Sequence, residues 1–219
     1  MAGQEPDEAH PAIQQAFELR GDPERIVEYY DEWAATYDSD VAGEVYGVPS
    51  SCVAVLRRCI EMVEGFDDPE ISILDAGCGT GLVGAALAAA GFTNLHGVDL
   101  SPGMVAAARA RGVYRRLVAQ VDLAEPPPDG WAHDFDVMVI GGVYTLGHLP
   151  PTTLADMPRW IKPGGMMITS VRDAYYDAED YQTVSDGLVA AGRLTELLHA
   201  ENLPYTMDST GHYFAYLVG

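Results

Sequence analysis

From residue 71 onward, short apolar runs alternate with amphipathic stretches. Ile71–Asp75, Asn94–Asp99, Arg116–Val121, Phe135–Ile140 and Gly165–Val171 read as strands. The unbroken apolar stretch from Val137 to Ile140 predicts burial on both faces of a sheet. Between these runs, Leu82–Ala90, Pro102–Arg111 and Thr152–Ile161 carry helical spacing. Strand and helix in alternation predict βαβ units around a parallel sheet, an α/β fold. Residues 125–130, with three prolines in a row, are too proline-rich for a helix, so one crossover is expected to be a loop. A long amphipathic stretch, Glu179 to Ala200, follows the fifth strand, and two short strands, Leu203–Met207 and Tyr213–Val218, finish the pattern. No internal repeat is visible.

Ahead of this region the pattern is helical. Residues 1–21 read as loose at first and then helical. Asp22-Pro23-Glu24 is a helix start, with Asp as N-cap and Pro in the first turn, and Ile26, Val27, Tyr30 and Trp33 fall on one face. A second helix is expected from Pro49-Ser50 to Gly65, and Asp67-Asp68-Pro69 is a break. The expected division is therefore an N-terminal helical segment, 1–66, followed by an α/β domain, 67–219.

Composition narrows the function classes. At 219 residues and 48% hydrophobic, the chain can bury one sizeable core. Its net charge of −21, with Lys162 the only lysine, opposes polyanions, and binding to nucleic acid rests on cationic contacts to phosphate. Nucleic acid is therefore not expected as a partner. The cluster Arg109, Arg111, Arg115 and Arg116 is read as a solvated helix end and the strand after it. No apolar run reaches the ~20 residues that span a bilayer, so no membrane association is expected. The acidic, polar N-terminus is no signal peptide. Cys52, Cys59 and Cys78 are an odd number without metal-ligand spacing; Cys52 and Cys59, seven apart on one helix face, read as small packed hydrophobes, and the simplest setting is a reducing cytoplasm.

The chemistry concentrates at three strand ends. The first candidate strand ends in Asp75 and then in glycines at alternate positions, Gly77, Gly79 and Gly81, just before a helix. Glycine permits a sharp turn and lets a ligand lie against bare backbone. A phosphate site wants open N–H groups and no carboxylate nearby, whereas Asp75 suits a cationic ligand such as S-adenosylmethionine, with its ammonium and sulfonium. Asp99, at the end of the second strand, stands where an acid takes both ribose hydroxyls in dinucleotide folds. Asp122, after the third, is a candidate acceptor for an adenine amino group. Surface or capping roles are the alternative for each acid taken singly. Gly79-Thr-Gly81-Leu-Val-Gly84 is also a literal dinucleotide fingerprint. It begins two residues late relative to the end of the strand, and the Tyr-x-x-x-Lys of a dehydrogenase is missing, since Pro158 precedes Lys162 by four. An NAD(P)-dependent oxidoreductase therefore remains only as a rival reading.

The run from Ile73 to Gly81, Gly97-Val-Asp-Leu-Ser101 and Ile161-Lys-Pro-Gly-Gly165 together resemble the class I S-adenosylmethionine-dependent methyltransferases over about residues 25 to 219. Residues 30–38, 95–104 and 147–150 are similar, more narrowly, to the methyltransferase-like proteins related to the Williams–Beuren syndrome region product. The resemblance implies a Rossmann-like, doubly wound seven-stranded sheet with its last strand antiparallel and an N-terminal helical lid. It implies that Asp75 and the backbone from Gly77 through Thr80 to Gly81 hold the methionine portion and that Asp99 takes the ribose. Leu100 and Met104 would pack on the adenine, with Asp122 and Leu123 at its edge and Ile140 beside the site. Tyr37, and Tyr30 with it, would lie over the cofactor; the alternative is that Tyr30, Trp33 and Tyr37 are core.

The segment 141–150 stands where acceptors meet the methyl group in that family, and it lacks the Asn/Asp-Pro-Pro-Tyr of DNA and glutamine methyltransferases. A small-molecule acceptor is expected. His148 is the candidate base, since an imidazole with a reference pKa of about 6.5 can take a proton at neutral pH; a loop-bonding role is the alternative. Tyr144, Arg172, Tyr175, Tyr205 and His212 are candidates to line the acceptor pocket, each with a packing role as the alternative. The expected activity is methyl transfer with S-adenosylhomocysteine as product. The rival from another class is a cofactor-binding protein of the same fold that transfers no methyl group, cyclase-like or regulatory.

Overall fold

A computed structural model describes residues 15, 19, 21–43 and 46–219. The expectation for residues 1–21 falls almost wholly outside that set. Helix α1 (Pro23–Trp33) begins at the predicted signal: Asp22 Oδ1 accepts from Glu24 N at 3.1 Å and Arg25 N at 3.4 Å, with Pro23 in the first turn. A short helix α2 (Tyr37–Gly43) follows. Helix α3 (Val48–Ile60) buries Val48, Cys52, Val55, Leu56 and Cys59 at helical spacing.

The strands are β1 (Ile73–Ala76), β2 (Leu95–Asp99), β3 (Tyr114–Ala119), β4 (Phe135–Tyr144), β5 (Ile161–Arg172), β6 (Leu194–Thr206) and β7 (Ser209–Val218). They form one sheet in the order β3-β2-β1-β4-β5-β7-β6. Strands β1 to β5 pair in parallel, and β7 runs antiparallel to both β5 and β6. Helices α4 (Leu82–Ala89) and α5 (Pro102–Ala110) make the first two crossovers, and α6 (Asp173–Ala178) and α7 (Tyr181–Ala190) join β5 to β6. The chain reverses its order across the sheet between β1 and β4, and in open α/β sheets the crevice at such a switch point is where ligands bind.

Alternation along the strands divides the core in two. Ile73, Val137, Val139, Met166 and Ile168 face a cluster with Val55 and Leu56 of α3 and Leu87 of α4. Leu74, Met138, Ile140 and Met167 face the other, with Trp160, Tyr181 and Leu188. Successive strand residues point to opposite faces, and here both faces are apolar and covered. No helix among the described residues is long and apolar enough to cross a membrane.

Four expectations change. The expected lid segment 1–66 divides, because α3 packs on the sheet with α4 and belongs to the sandwich, while α1 and α2, among the described residues, stand over the strand ends. The helix expected at Thr152–Ile161 is two 3-10 turns, Pro151–Ala155 and Met157–Trp160. Pro158 has no N–H to continue a helix, and Thr153 Oγ1 donates to Pro150 O at 2.7 Å. The amphipathic stretch 179–200 is helical only to Ala190. Gly192, at φ 69°, ends the helix, and β6 is already under way at Leu194. Strand β4 runs past Ile140 to Tyr144, which makes Gly141 and Gly142 part of the sheet's edge instead of a loop.

Candidate active site

The glycine turn after β1 is stapled to the neighbouring strand: Gly77 N and Cys78 N both donate to Val98 O at 2.9 Å. Gly77 has φ +71°, and a Cβ there would stand 2.5 Å from Val143 Cγ2. A side chain at that position is excluded by both strain and space. A Cβ at Gly79 would meet nothing within 4 Å, so this backbone faces open volume. That volume is a cavity at the switch point. Its lining includes Gly77–Thr80, Asp99, Leu100, Met104, Asp122 and Leu123 from the first three strand ends, Gly141–Val143 from β4, and Ile26, Tyr30, Tyr37, Tyr46, His148 and Leu149.

Asp99 Oδ2 accepts from Gly79 N at 2.8 Å and Oδ1 accepts from Ser101 N at 2.9 Å. The Leu100 backbone N–H is a further donor, and a carboxylate has about four acceptor positions, so capacity remains for a ligand. Burial pushes the Asp99 carboxyl above its ordinary range, while the backbone donors pull it down. Asp122 is partly exposed and accepts from Ala124 N at 2.9 Å.

Helices α1 and α2 are tied to the strand ends by two acids. Asp31 Oδ1 accepts from Ser101 Oγ at 2.5 Å and from Gly103 N at 2.7 Å, at the start of α5. Asp38 Oδ1 accepts from Thr80 Oγ1 at 2.5 Å, and its other oxygen pairs with Arg111, whose Nε donates to Thr80 O at 2.5 Å. Between these ties, Tyr30, Trp33 and Tyr37 pack ring on ring, with centroids 5.8 Å apart for Tyr30–Trp33 and 4.7 Å for Trp33–Tyr37.

Tyr30 meets His148 across the cavity, its hydroxyl 2.8 Å from Nε2. His148 Nδ1 lies 3.0 Å from Leu146 O. A carbonyl only accepts, so Nδ1 carries the proton and Nε2 accepts from the phenol. Burial pushes the imidazole pKa below its ordinary value and the Tyr30 phenol well above its own, so both are neutral near pH 7. The arrangement offers one unprotonated nitrogen, screened by one hydroxyl, inside a mostly apolar cavity.

The structure thus brings Tyr30, Tyr37, Gly77, Gly79, Thr80, Asp99, Leu100, Met104, Asp122, Leu123 and His148 to one cavity. Other candidates are placed elsewhere. Asp75 is buried beneath the turn and absent from the cavity wall. Its Oδ2 accepts from Gly84 N at 3.0 Å and Tyr114 Oη at 2.6 Å, and its Oδ1 has no partner. Burial raises its pKa to about 7. Gly81 and Ile140 are outside the lining too, the latter fully buried in the core.

None of the five acceptor-pocket candidates lines the cavity. Tyr144 is core, 3.3 Å from Thr153 Oγ1, and Tyr175 donates to Leu149 O at 2.7 Å. Arg172 is buried at the end of β5. Tyr205 packs edge-on against Tyr46, and His212 stacks on Tyr176. Conversely, Tyr46 and Ile26 line the cavity although no sequence signal marks them as site residues, while Gly141–Val143 fall in the segment 141–150 expected on the acceptor side.

The dinucleotide frame fails on the same geometry. Gly81, whose backbone would have to lie against a pyrophosphate in that frame, is outside the cavity lining, and a Cβ there would stand 3.1 Å from both Arg111 Cδ and Tyr114 Cε2.

Residues 73–165 match the family described as a methyltransferase domain. Human methyltransferase-like protein 27 is 40% identical over 149 residues, covering 66% of this chain and 56% of the relative. The ribosomal protein L11 methyltransferase of Methylococcus capsulatus is 32% identical over 113 residues, 51% of this chain and 37% of that one. The chain therefore spans about half the length, or less, of these curated relatives. Among solved structures, magnesium protoporphyrin IX methyltransferase from Synechocystis PCC 6803 with bound SAH superposes with a TM-score of 0.58 at 14% identity, over 79% of this chain and 84% of that one, a likeness of fold. Sheet order, glycine turn and sequence match coincide on the same residues: over 73–165 the chain is similar to the methyltransferase-domain family, carried on a Rossmann-like α/β fold.

Proposed function

We propose that this protein transfers a methyl group from S-adenosylmethionine to a small-molecule acceptor and releases S-adenosylhomocysteine. The observation that carries the reading is one cavity combining the bare Gly79 backbone, the remaining acceptor capacity of Asp99 and the Tyr30–His148 pair. The residues fit the cofactor. Asp99 has acceptors for a ribose diol, Leu100, Met104 and Leu123 offer apolar surface for an adenine, and Asp122 stands at that edge. Asp75 lies one layer below, a buried acid with an unpartnered oxygen under the turn where a cationic amino-acid portion would rest.

Bound there, S-adenosylmethionine supplies an electrophilic methyl on a sulfonium that leaves as a neutral thioether. The chain's own contribution is orientation, exclusion of water and handling of one proton. Well-oriented groups gain about 7–11 kcal/mol from positioning. His148 Nε2 takes the proton of an acceptor hydroxyl or amine, directly or by way of Tyr30, whose phenolic proton moves to Nε2 as its oxygen receives the acceptor's. A positioned base of this kind adds roughly 10²–10⁴-fold. With α1 and α2 tied down at Asp31 and Asp38, Tyr30 and Tyr37 roof the cavity, so these two helices act as a lid that opens for exchange.

The small, mostly apolar cavity favours a small acceptor, although the L11 relative is named for a protein one. Nucleic acid is disfavoured by the net charge of −21 and by the pairing of Arg111, Arg115 and Arg116 with Asp38, Glu70 and Asp134. Three free, buried cysteines suit a reducing cytoplasm.

Titration calorimetry with S-adenosylhomocysteine tests the reading. The wild type should bind, and Asp99→Ala should lose roughly 10²–10⁴-fold, two bonds to a charged group at about 1.5–3 kcal/mol each. Unchanged affinity would overturn the ribose assignment. Label from methyl-labelled cofactor should appear in the dialysable fraction of an extract; label only in its protein fraction would refute the small acceptor.

A further inference from the structure

A second cluster stands away from the cavity, on the two C-terminal strands. The β6–β7 ladder pairs Ala200 with Tyr213 and then Leu203 with Gly211, so Glu201 and Asn202 both stand opposite His212. Asn202 has φ 58°, the left-handed conformation of a bulge. Bulges re-aim side chains, and this one brings three together. His199 Nε2 lies 2.9 Å from His212 Nδ1 and 4.0 Å from Glu201 Oε1, and one ligand atom from each of the three falls within 4.8 Å of the others.

The rings are held from behind. His199 stacks on Phe214 with centroids 4.0 Å apart, and His212 stacks on Tyr176 of α6 at 3.7 Å. Behind His212, its Nε2 is 3.7 Å from Asp173 Oδ1. That oxygen is buried and has no hydrogen-bond partner, while Oδ2 of the same residue accepts from Thr210 Oγ1. A buried acceptor left unpaired is costly. The ring nitrogen beside it, His212 Nε2, carries a proton only in one tautomer.

We propose that His199, Glu201 and His212 bind a zinc ion, with Asp173 orienting His212 from behind. Zinc takes imidazole nitrogen at about 2.0–2.1 Å in a tetrahedron, which sets ligand atoms about 3.3 Å apart. The two nitrogens are already near that spacing, and Glu201, on an exposed side chain, closes the third edge by rotation. Ligation by His212 Nδ1 moves its proton to Nε2, where it points at Asp173. The unpaired oxygen thus gains the donor it lacks, and the carboxylate–histidine–metal order is that of a built site. Three protein ligands leave the fourth position open to solvent. The site does not depend on the transferase reading, since none of its residues lines the cavity.

The test is zinc titrated into the full chain against a chromogenic chelator, repeated with cobalt for its visible spectrum. One equivalent should bind, with a four-coordinate cobalt spectrum. His212→Gln and Glu201→Gln should each weaken binding at least tenfold, and Asp173→Asn by roughly 10–100-fold. Glu201 is exposed, so Glu201→Gln keeps the test open if a histidine variant fails to fold. Absence of stoichiometric zinc, zinc affinity unmoved by Glu201→Gln and His212→Gln, or magnesium bound as tightly as zinc would overturn the proposal.

Discussion

Replacing Asp75 by Asn isolates the energetic consequence of placing an acid under the glycine turn. The carboxyl is buried, two donors reach Oδ2 and none reaches Oδ1, and its pKa rises from 3.8 to about 7. A folded pKa above the unfolded one means that the native state binds more protons between the two values. The stabilisation is therefore fully present below pH 4 and is lost as pH rises through 7. At 1.36 kcal/mol per pH unit across that window, the wild type should lose about 4 kcal/mol relative to a residue that cannot ionise. Asn keeps a carbonyl oxygen for Gly84 N and Tyr114 Oη and removes the charge. Urea unfolding from pH 4 to pH 8 measures the difference, provided the m-values agree. The variant's advantage should grow with pH at up to about 1.4 kcal/mol per unit and level off above pH 7. Any fixed cost of the amide shifts the whole curve and leaves its slope intact. A difference that stays flat between pH 4 and pH 8 would refute the raised pKa and the burial that causes it.

Gly84→Ala should destabilise despite the better helix propensity of alanine, worth about 1 kcal/mol. The new methyl falls on the Tyr114 ring, overpacking costs about 1–3 kcal/mol, and a net loss in thermal or urea unfolding checks it. His148→Ala should lower kcat roughly 10²–10⁴-fold on the true acceptor with little change in S-adenosylhomocysteine affinity. Because burial holds the imidazole pKa below its ordinary value, the wild-type acid limb of kcat should lie below pH 6.5, and a limb above 7 would exclude His148 as the base.

Periodicity made β1, β2, β4 and β5 legible, because each carries an apolar run buried on both faces, whereas β3, an edge strand carrying Arg115 and Arg116, begins two residues ahead of the run read for it. It misread the stretches where one residue overrides the pattern, Pro158 within an expected helix and Gly192 between a helix and a strand that share one amphipathic run. At the site, the glycines and Asp99 were legible because turn and acid are adjacent in sequence to a strand end. Asp75 was legible as important but not in its role. Its side chain turns inward to Tyr114, a partner 39 positions away on β3.

The aromatic residues show the limit most clearly. Tyr30, Tyr144, Tyr175 and Tyr205 look alike along the chain, but only Tyr30 reaches the cavity. The sequence alone determined the fold class, the switch-point turn and the acids at the strand ends, all consequences of local backbone preference and burial period. Only the tertiary structure decided that α3 joins the sandwich while α1 and α2 cover the site, that Tyr30 meets His148, and that two histidines and a glutamate converge across a bulge. Each of these depends on contacts between segments far apart in the chain, which local propensity and period do not encode.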